Sequence, residues 1–380
     1  MLELTDPTCF ENYCAMTTLW VVKVGTSLLR GGAGQSTANV IDNYCACLSR
    51  AISRGDRVVL VTSGAVGLGC HRLGLGTRPE DVVSLQAVAA IGQGHLMALY
   101  DAAMNRHGHA VAQVLLTRSD LDSRVRYHNA SNTLRRLLDL GVMPVVNEND
   151  TLSPAELRYG DNDTLSALVA SAVEADQLIL LTDVDHLYSA DPRKYGSAQP
   201  ITDVHHPREL VALQEAAGDG GRWGTGGMTT KLAAARIATC AGIKVHLADG
   251  RKAEQLEALL RGGRGGTVFH PNPQPIGNRR SWLAHALRAE GTLVIDAGAC
   301  EALQHRGASL LLVGVKDVEG RFEANQPVRL INTDGQELGQ GLSSLSSDTL
   351  REKLDKPPLG ERSPVVVHRD LLVLSEKHLN

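Results

Sequence analysis

Leu19-Trp20-Val21-Val22-Lys23-Val24-Gly25-Thr26-Ser27 is the stretch whose reading decides the fold. An apolar strand ends in a glycine turn and delivers one lysine to that turn. A helical segment over Thr37–Ser53 follows, with Gly55 as its stop. The next β-branched run, Arg57–Val61, ends in a second polar turn, Thr62-Ser63-Gly64-Ala65. The alternation continues, with strand runs at 110–116, 142–146, 177–181 and 243–247. Helical segments at 81–106, 127–140, 164–173 and 229–241 separate them. Apolar strands alternating with helices predict an α/β chain, a three-layer αβα sandwich around a mainly parallel sheet buried on both faces.

Ligands bind such sheets beyond the carboxyl ends of the strands. Gly25-Thr26-Ser27, Ser63-Gly64-Ala65, Asn147-Glu148-Asn149-Asp150 and Thr182-Asp183 each follow a strand run, so they are expected at one edge. A further glycine-rich turn, Gly224-Thr225-Gly226-Gly227-Met228-Thr229-Thr230-Lys231, opens the last helix of the series. Free N–H groups at a helix start attract phosphate, and a lysine adds full charge. Lys23 and Lys231, on two such turns, suit a clamp on a transferring phosphoryl group, where catalysis is mostly positioning and charge neutralisation.

Between the two turns lie Asn147-Glu148-Asn149-Asp150 and Gly160-Asp161-Asn162-Asp163. One Asp or Asn is enough to cap a helix. Three in a row after glycine exceed that need. A carboxylate near two lysines would keep both oriented, while amides, hydroxyls and acids could grip an amino-acid substrate. The chain has no Gly-Lys dipeptide, hence no P-loop, and it lacks GxGxxG and HExxH.

The 380 residues call for two domains. A net charge of −4 gives no general attraction to nucleic acid or acidic membranes, and no apolar run approaches the roughly 20 residues that span a bilayer. Residues 1–15 carry Glu3, Asp6 and Glu11 without a basic residue, unlike a secretory leader, and read as a disordered extension. Seven cysteines without a CxxC pair fit reduced thiols and a cytoplasmic setting. No metal site is expected: His205-His206 and His270 have no Cys or carboxylate cluster at ligand spacing and read as surface residues. Arg118, Arg124 and Arg126 read as a solvated or interface cluster. Pro271-Asn272-Pro273-Gln274-Pro275 opens a stiff linker, 271–289. Short runs beyond it predict a small β-rich domain, 290–372, with a tail at 373–380.

These motifs, in this order, resemble the amino acid kinase family over about residues 19–270, in the branch that phosphorylates glutamate. Asp296-Ala297-Gly298-Ala299, Arg306-Gly307-Ala308-Ser309-Leu310-Leu311 and Val366-Val367-His368-Arg369 make the tail resemble a PUA domain. The resemblance implies ATP-dependent phosphorylation of the side-chain carboxylate of L-glutamate, the first step toward proline, with feedback inhibition by proline. It implies catalytic roles for Lys23, Lys231 and Asp163, and glutamate binding by Ser63, Asp150 and Asn162 with help from Asn147 and Asp161. Lys23, Gly25, Thr26, Thr182, Asp183 and the run Thr225, Gly226, Gly227, Met228, Thr229, Thr230, Lys231 would line the ATP site. Mg²⁺ would ride on the ATP phosphates, largely through water. A homodimer or homotetramer through residues 16–270, the kinase domain, is also implied. Arg158 stands where the family often has lysine, a fork in place of a point charge.

Two other readings stay open. One is a different carboxylate kinase of this fold, an acetylglutamate kinase or aspartokinase; the PUA-like tail and Asn147–Asp150 favour glutamate. The other is RNA binding through the tail. From Glu290 to His368 there are 12 Asp or Glu against 8 Lys or Arg, too little positive charge to neutralise phosphates, so a spacer or accessory to oligomerisation is preferred.

Overall fold

A computed structural model describes residues 17–30, 36–117, 120–121, 124–152, 162–205, 209–210, 213, 227–273, 275, 289–324, 326–355 and 363–374. The 1–15 extension and most of the expected linker and tail lie outside these residues.

Strand β1 (Leu19–Val24) leads through a short helix α1 (Thr26–Leu29) to α2 (Thr37–Ser53) and β2 (Arg57–Val61). Next come α3 (Ala65–Arg72), α4 (Val82–Asn105), β3 (Val111–Leu116), α5 (Arg124–Asp139), β4 (Met143–Glu148), α6 (Asn162–Val173) and β5 (Gln177–Thr182). Short strands β6 (Leu187–Tyr188), β7 (Pro200–Ile201) and β8 (Asp203–Val204) precede α7 (Gly227–Cys240), β9 (Lys244–Asp249), α8 (Ala253–Leu260) and β10 (Thr267–Phe269).

The main sheet has eight strands in the order β3-β4-β2-β1-β5-β9-β10-β8. Its first six strands are mutually parallel, and β10 joins β9 antiparallel. Helices cover both faces, because successive strand residues point to opposite sides. Trp20, Val22 and Val24 pack into one core with Ile41, Leu48, Leu96 and Leu256. Leu19 and Val21 pack into the other with Leu134, Leu168 and Leu232. The same pleat sends Lys23 to the face of α6 and α7.

Helix α4 corrects one expectation. Its 24 residues are long and apolar enough, by length and composition, to cross a membrane. The scattered glycines and polar residues hide this in a search for an unbroken apolar run. Its face bearing Val88, Leu96, Tyr100 and Met104 is buried, and the helix packs against α2 and α3. The approach to α3 is close because Gly92 allows it: a Cβ there would lie 1.8 Å from the Ala65 carbonyl oxygen.

The C-terminal unit comprises β11 (Gly291–Ile295), α9 (Ala297–Arg306), β12 (Leu310–Leu311), β13 (Val315–Gly320), β14 (Pro327–Asn332), β15 (Glu337–Ser343), α10 (Ser347–Asp355) and β16 (Val365–Leu374). Six strands pair in the order β12-β16-β15-β14-β11-β13. Register shifts between Val294 and Ile295, Leu330 and Ile331, and Gly341 and Ser343 curl this sheet around its own core of Leu293, Val318, Leu330 and Leu350. The sequence reading missed β13 and β15, whose glycines and charges break an apolar run.

Candidate active site

The carboxyl ends of β1, β2, β4, β5 and β9 lie at one edge of the sheet, as their parallel pairing requires. Lys23, the fifth residue of β1, is buried and faces α6. Its Nζ lies 2.6 Å from Asp163 Oδ1. Lys231, in the first turns of α7, lies with its Nζ 3.1 Å from Asp163 Oδ2. Thr230 Oγ1 donates to the same oxygen at 2.8 Å, and Lys231 also donates to the Gly227 carbonyl at 3.1 Å. One buried carboxylate thus joins two ammonium groups that are 208 residues apart in the chain (231 − 23). Burial alone would raise the Asp163 carboxyl. The charges of Lys23 and Lys231, with hydrogen bonds from Lys23 and Thr230, hold it below the usual carboxylate range.

The two helix starts that bear these groups meet here. Asn162 and Asp163 sit in the first turn of α6, rather than ahead of it as caps, and Gly227–Lys231 form the opening of α7. Gly25 precedes α1 without a side-chain cap, and so does Gly64 before α3, which leaves N–H groups of both helix starts without that partner. Gly64 has φ 99°, a left-handed conformation that favours glycine. At Gly25 a Cβ would stand 3.5 Å from Lys23 Nζ, an ordinary contact distance that places this turn beside the ammonium.

A cavity of about 830 Å³ opens beside these groups, with Thr26, Ser63, Asn147, Glu148, Asp150 and Asn162 in its wall. Asn162 ties the wall together. Its amide nitrogen lies 2.7 Å from Ser63 Oγ, 2.8 Å from the Thr62 carbonyl oxygen and 3.1 Å from Asn147 Oδ1. Asn147 in turn donates to Gln93 Oε1 at 2.8 Å and accepts the Glu148 N–H at 2.9 Å. The buried Tyr100 hydroxyl shares a 2.8 Å hydrogen bond with Thr62 Oγ1. Asn162 Oδ1 is buried and has no partner among the described residues, so an acceptor stands ready for a donor from outside the protein. Burial, with the Glu148 carboxylate next in importance, pushes Asp150 up to about 6, against the pull of Arg78.

Thr182 is buried at the end of β5, where its hydroxyl donates to the exposed Asp183 at 3.2 Å. Met228 and Thr229 lie in the first turn of α7. Asp161, Thr225 and Gly226 lie outside the described residues. Several wall residues gave no sequence signal: Arg30, Ser36, Thr37 and Arg78 lie in loops and at helix ends, outside any motif, yet line the cavity. Strand β9 runs past 247 to Asp249, which places that carboxylate at the same edge and lets Arg251 clasp it with two 2.9 Å hydrogen bonds. Its polar end concealed it from a search for apolar runs.

An αβα sandwich with two lysines on one carboxylate at its ligand edge places the chain among known proteins. The model of the amino acid kinase family matches residues 18–249, and that of the PUA domain matches residues 291–356. The chain belongs to the amino acid kinase family. A glutamate 5-kinase of Prochlorococcus marinus (strain MIT 9313) is 74% identical over 356 residues, covering 94% of this chain and 99% of its own. One of Synechococcus sp. (strain CC9605) is 69% identical over 360 residues, covering 95% and 100%. The solved carbamate kinase from Giardia lamblia bound to AMP-PNP has a TM-score of 0.51 at 18% identity, covering 68% of this chain and 99% of that one; the likeness concerns the fold.

Proposed function

We propose that this enzyme transfers the γ-phosphoryl group of ATP to the side-chain carboxylate of L-glutamate, forming L-glutamyl 5-phosphate for proline synthesis. The observation that carries this reading is the Lys23–Asp163–Lys231 bridge beside the polar cavity. The near-full-length glutamate 5-kinase relatives supply the substrate.

Phosphoryl transfer spreads negative charge over the transferring oxygens and the two oxygens in line with them. Lys23 and Lys231 supply positive charge for that transition state, and Asp163 holds both in place before reaction, which avoids reorganisation during it. The N-termini of α6 and α7 add to the same field. Thr182, Asp183, Gly25, Thr26 and the 225–231 segment would line the nucleotide. Ser63 and Asn147 would orient glutamate, with Asp161 as a helper. Its ammonium group has two natural partners, the ionised Asp150 and Asn162 Oδ1, which has no partner among the described residues. Mg²⁺ would arrive on the ATP phosphates. Asp163 gives its oxygens to Lys23, Lys231 and Thr230, so phosphate oxygens and water would hold the ion.

Proline shares the α-carboxylate of glutamate and would compete for this cavity. A homodimer or homotetramer through the kinase domain and a cytoplasmic location are part of the same proposal. The test is formation of hydroxylamine-trapped acyl phosphate from ATP, Mg²⁺ and each of glutamate, aspartate and N-acetylglutamate, with and without proline. Glutamate is expected to be preferred and proline to inhibit in a way that excess glutamate relieves. Preference for another acid would overturn the substrate; inhibition that no glutamate concentration relieves would overturn the shared cavity.

A further inference from the structure

The outer edge of the main sheet brings together three side chains that the reading of the kinase site leaves unused. Asp203 pairs with Val268 and Val204 with Phe269 in parallel register between β8 and β10. The Val268 N–H donates to the Thr202 carbonyl at 2.8 Å, and the His270 N–H to that of Val204 at 2.9 Å. Extending the register by one residue sets His205 alongside His270. Asp203 and His205 are two apart, so the pleat turns both toward the same side. The result is visible in the side chains. His270 Nε2 lies 2.9 Å from Asp203 Oδ1, and the His205 and His270 rings stack at 4.3 Å with a 16° interplanar angle. One ligand atom from each of Asp203, His205 and His270 falls within 4.8 Å of the others. A second carboxylate, Glu209, takes the His205 N–H at 3.4 Å and stands at the rim.

We propose that Asp203, His205 and His270 form a binding site for a late first-row divalent cation, of which Zn²⁺ is the commonest. Two imidazoles and one carboxylate are the donor set such ions prefer, and Mg²⁺ does not. An ion pair alone would need one histidine; the second ring, held against the first by strand register, is what makes a chelate. Bonds of about 2.0–2.2 Å require the three donors to close in, and partly exposed side chains can turn to do so. The ion would clip the two-residue edge strand β8 to β10. The proposal departs from the expectation that these histidines are not ligands, which rested on ligand-spacing rules for donors on one local element; here 65 residues (270 − 205) separate the two histidines.

The test uses the full chain, stripped of metal and titrated with Zn²⁺ by calorimetry, and with Co²⁺ by its visible absorption. One Zn²⁺ per chain and a higher melting temperature are expected. His205→Gln, at an exposed position, and His270→Gln should each weaken binding about 10–100-fold and abolish the thermal gain. Glutamate phosphorylation at saturating Mg-ATP should stay unchanged in His205→Gln. Zn²⁺ binding that survives in His205→Gln with undiminished affinity, or wild-type protein that gains no thermal stability from Zn²⁺, would overturn the site. Neither result bears on the kinase reading.

Discussion

Asp163 concentrates the chemistry at a single residue. It is worth nothing for catalysis without two lysines, and each lysine would repel the other without it. Lys231→Ala should leave the fold intact, because Lys23 and Thr230 still satisfy the buried carboxylate. Turnover should fall about 10²–10³-fold, the usual cost of removing one charge-stabilising donor; steady-state kinetics with a melting curve as control would check both halves. Asp150 makes a second prediction. It is charged above about pH 6 and loses that charge below. The glutamate KM should therefore climb as pH falls through 6, by about tenfold per unit once Asp150 is mostly protonated. In Asp150→Asn the KM should be high and flat over this range. The stability effect has the opposite sign. A carboxyl raised from its unfolded value of 3.8 penalises the fold when ionised; the penalty grows as pH rises from about 4 and is complete above about 6. Asp150→Asn should thus be more stable at pH 7, by on the order of 1–2 kcal/mol after allowance for partial exposure.

The elements carry these residues with little freedom. Helix α3 begins at Ala65, two residues past Ser63, and its seat on α4 depends on two glycines. A Cβ on Gly69 would stand 2.0 Å from the Val88 carbonyl oxygen, and one on Gly92 would stand 1.8 Å from that of Ala65. Gly92→Ala must push the helices apart. A loss of about 1–3 kcal/mol is expected from such overpacking, together with a raised glutamate KM, since α3 adjoins the Ser63 wall of the cavity. Thermal unfolding and kinetics on the same preparation would check it; a variant with unchanged KM would show that α3 moves without disturbing Ser63. Most strands and helices of this half were legible, because long apolar runs and their glycine stops report local geometry directly. What escaped were the short helices α1, α3 and α8, polar strand ends, such as Asn147-Glu148 on β4 and Asp249 on β9, and the short strands β6, β7, β8 and β10. Their pairing depends on a neighbour rather than on their own composition.

Over the whole molecule, the two sheets share more than a linker. Leu372 and Leu374 of β16 face the core of the C-terminal unit, while Leu371 and Val373 pack with the core that also holds Leu168 and Leu232. Leu342 of β15 is buried in that same cluster. Leu342→Ala should cost about 2–4 kcal/mol and lower the melting temperature of the kinase half as well as the tail, which calorimetry would resolve; two separated transitions, with only the later residues affected, would show independent units. Sequence alone determined the layered α/β character, the β-rich second unit and the identity of the two lysine-bearing turns, since period, glycine placement and residue chemistry are properties of short segments. Tertiary structure alone decided that Lys23 and Lys231 close on Asp163, that Arg78 and Glu148 flank Asp150, and that Asp203 meets His205 and His270. Those meetings depend on strand order and on how helices seat across a sheet, and both are set by the summed packing of residues far apart in the chain.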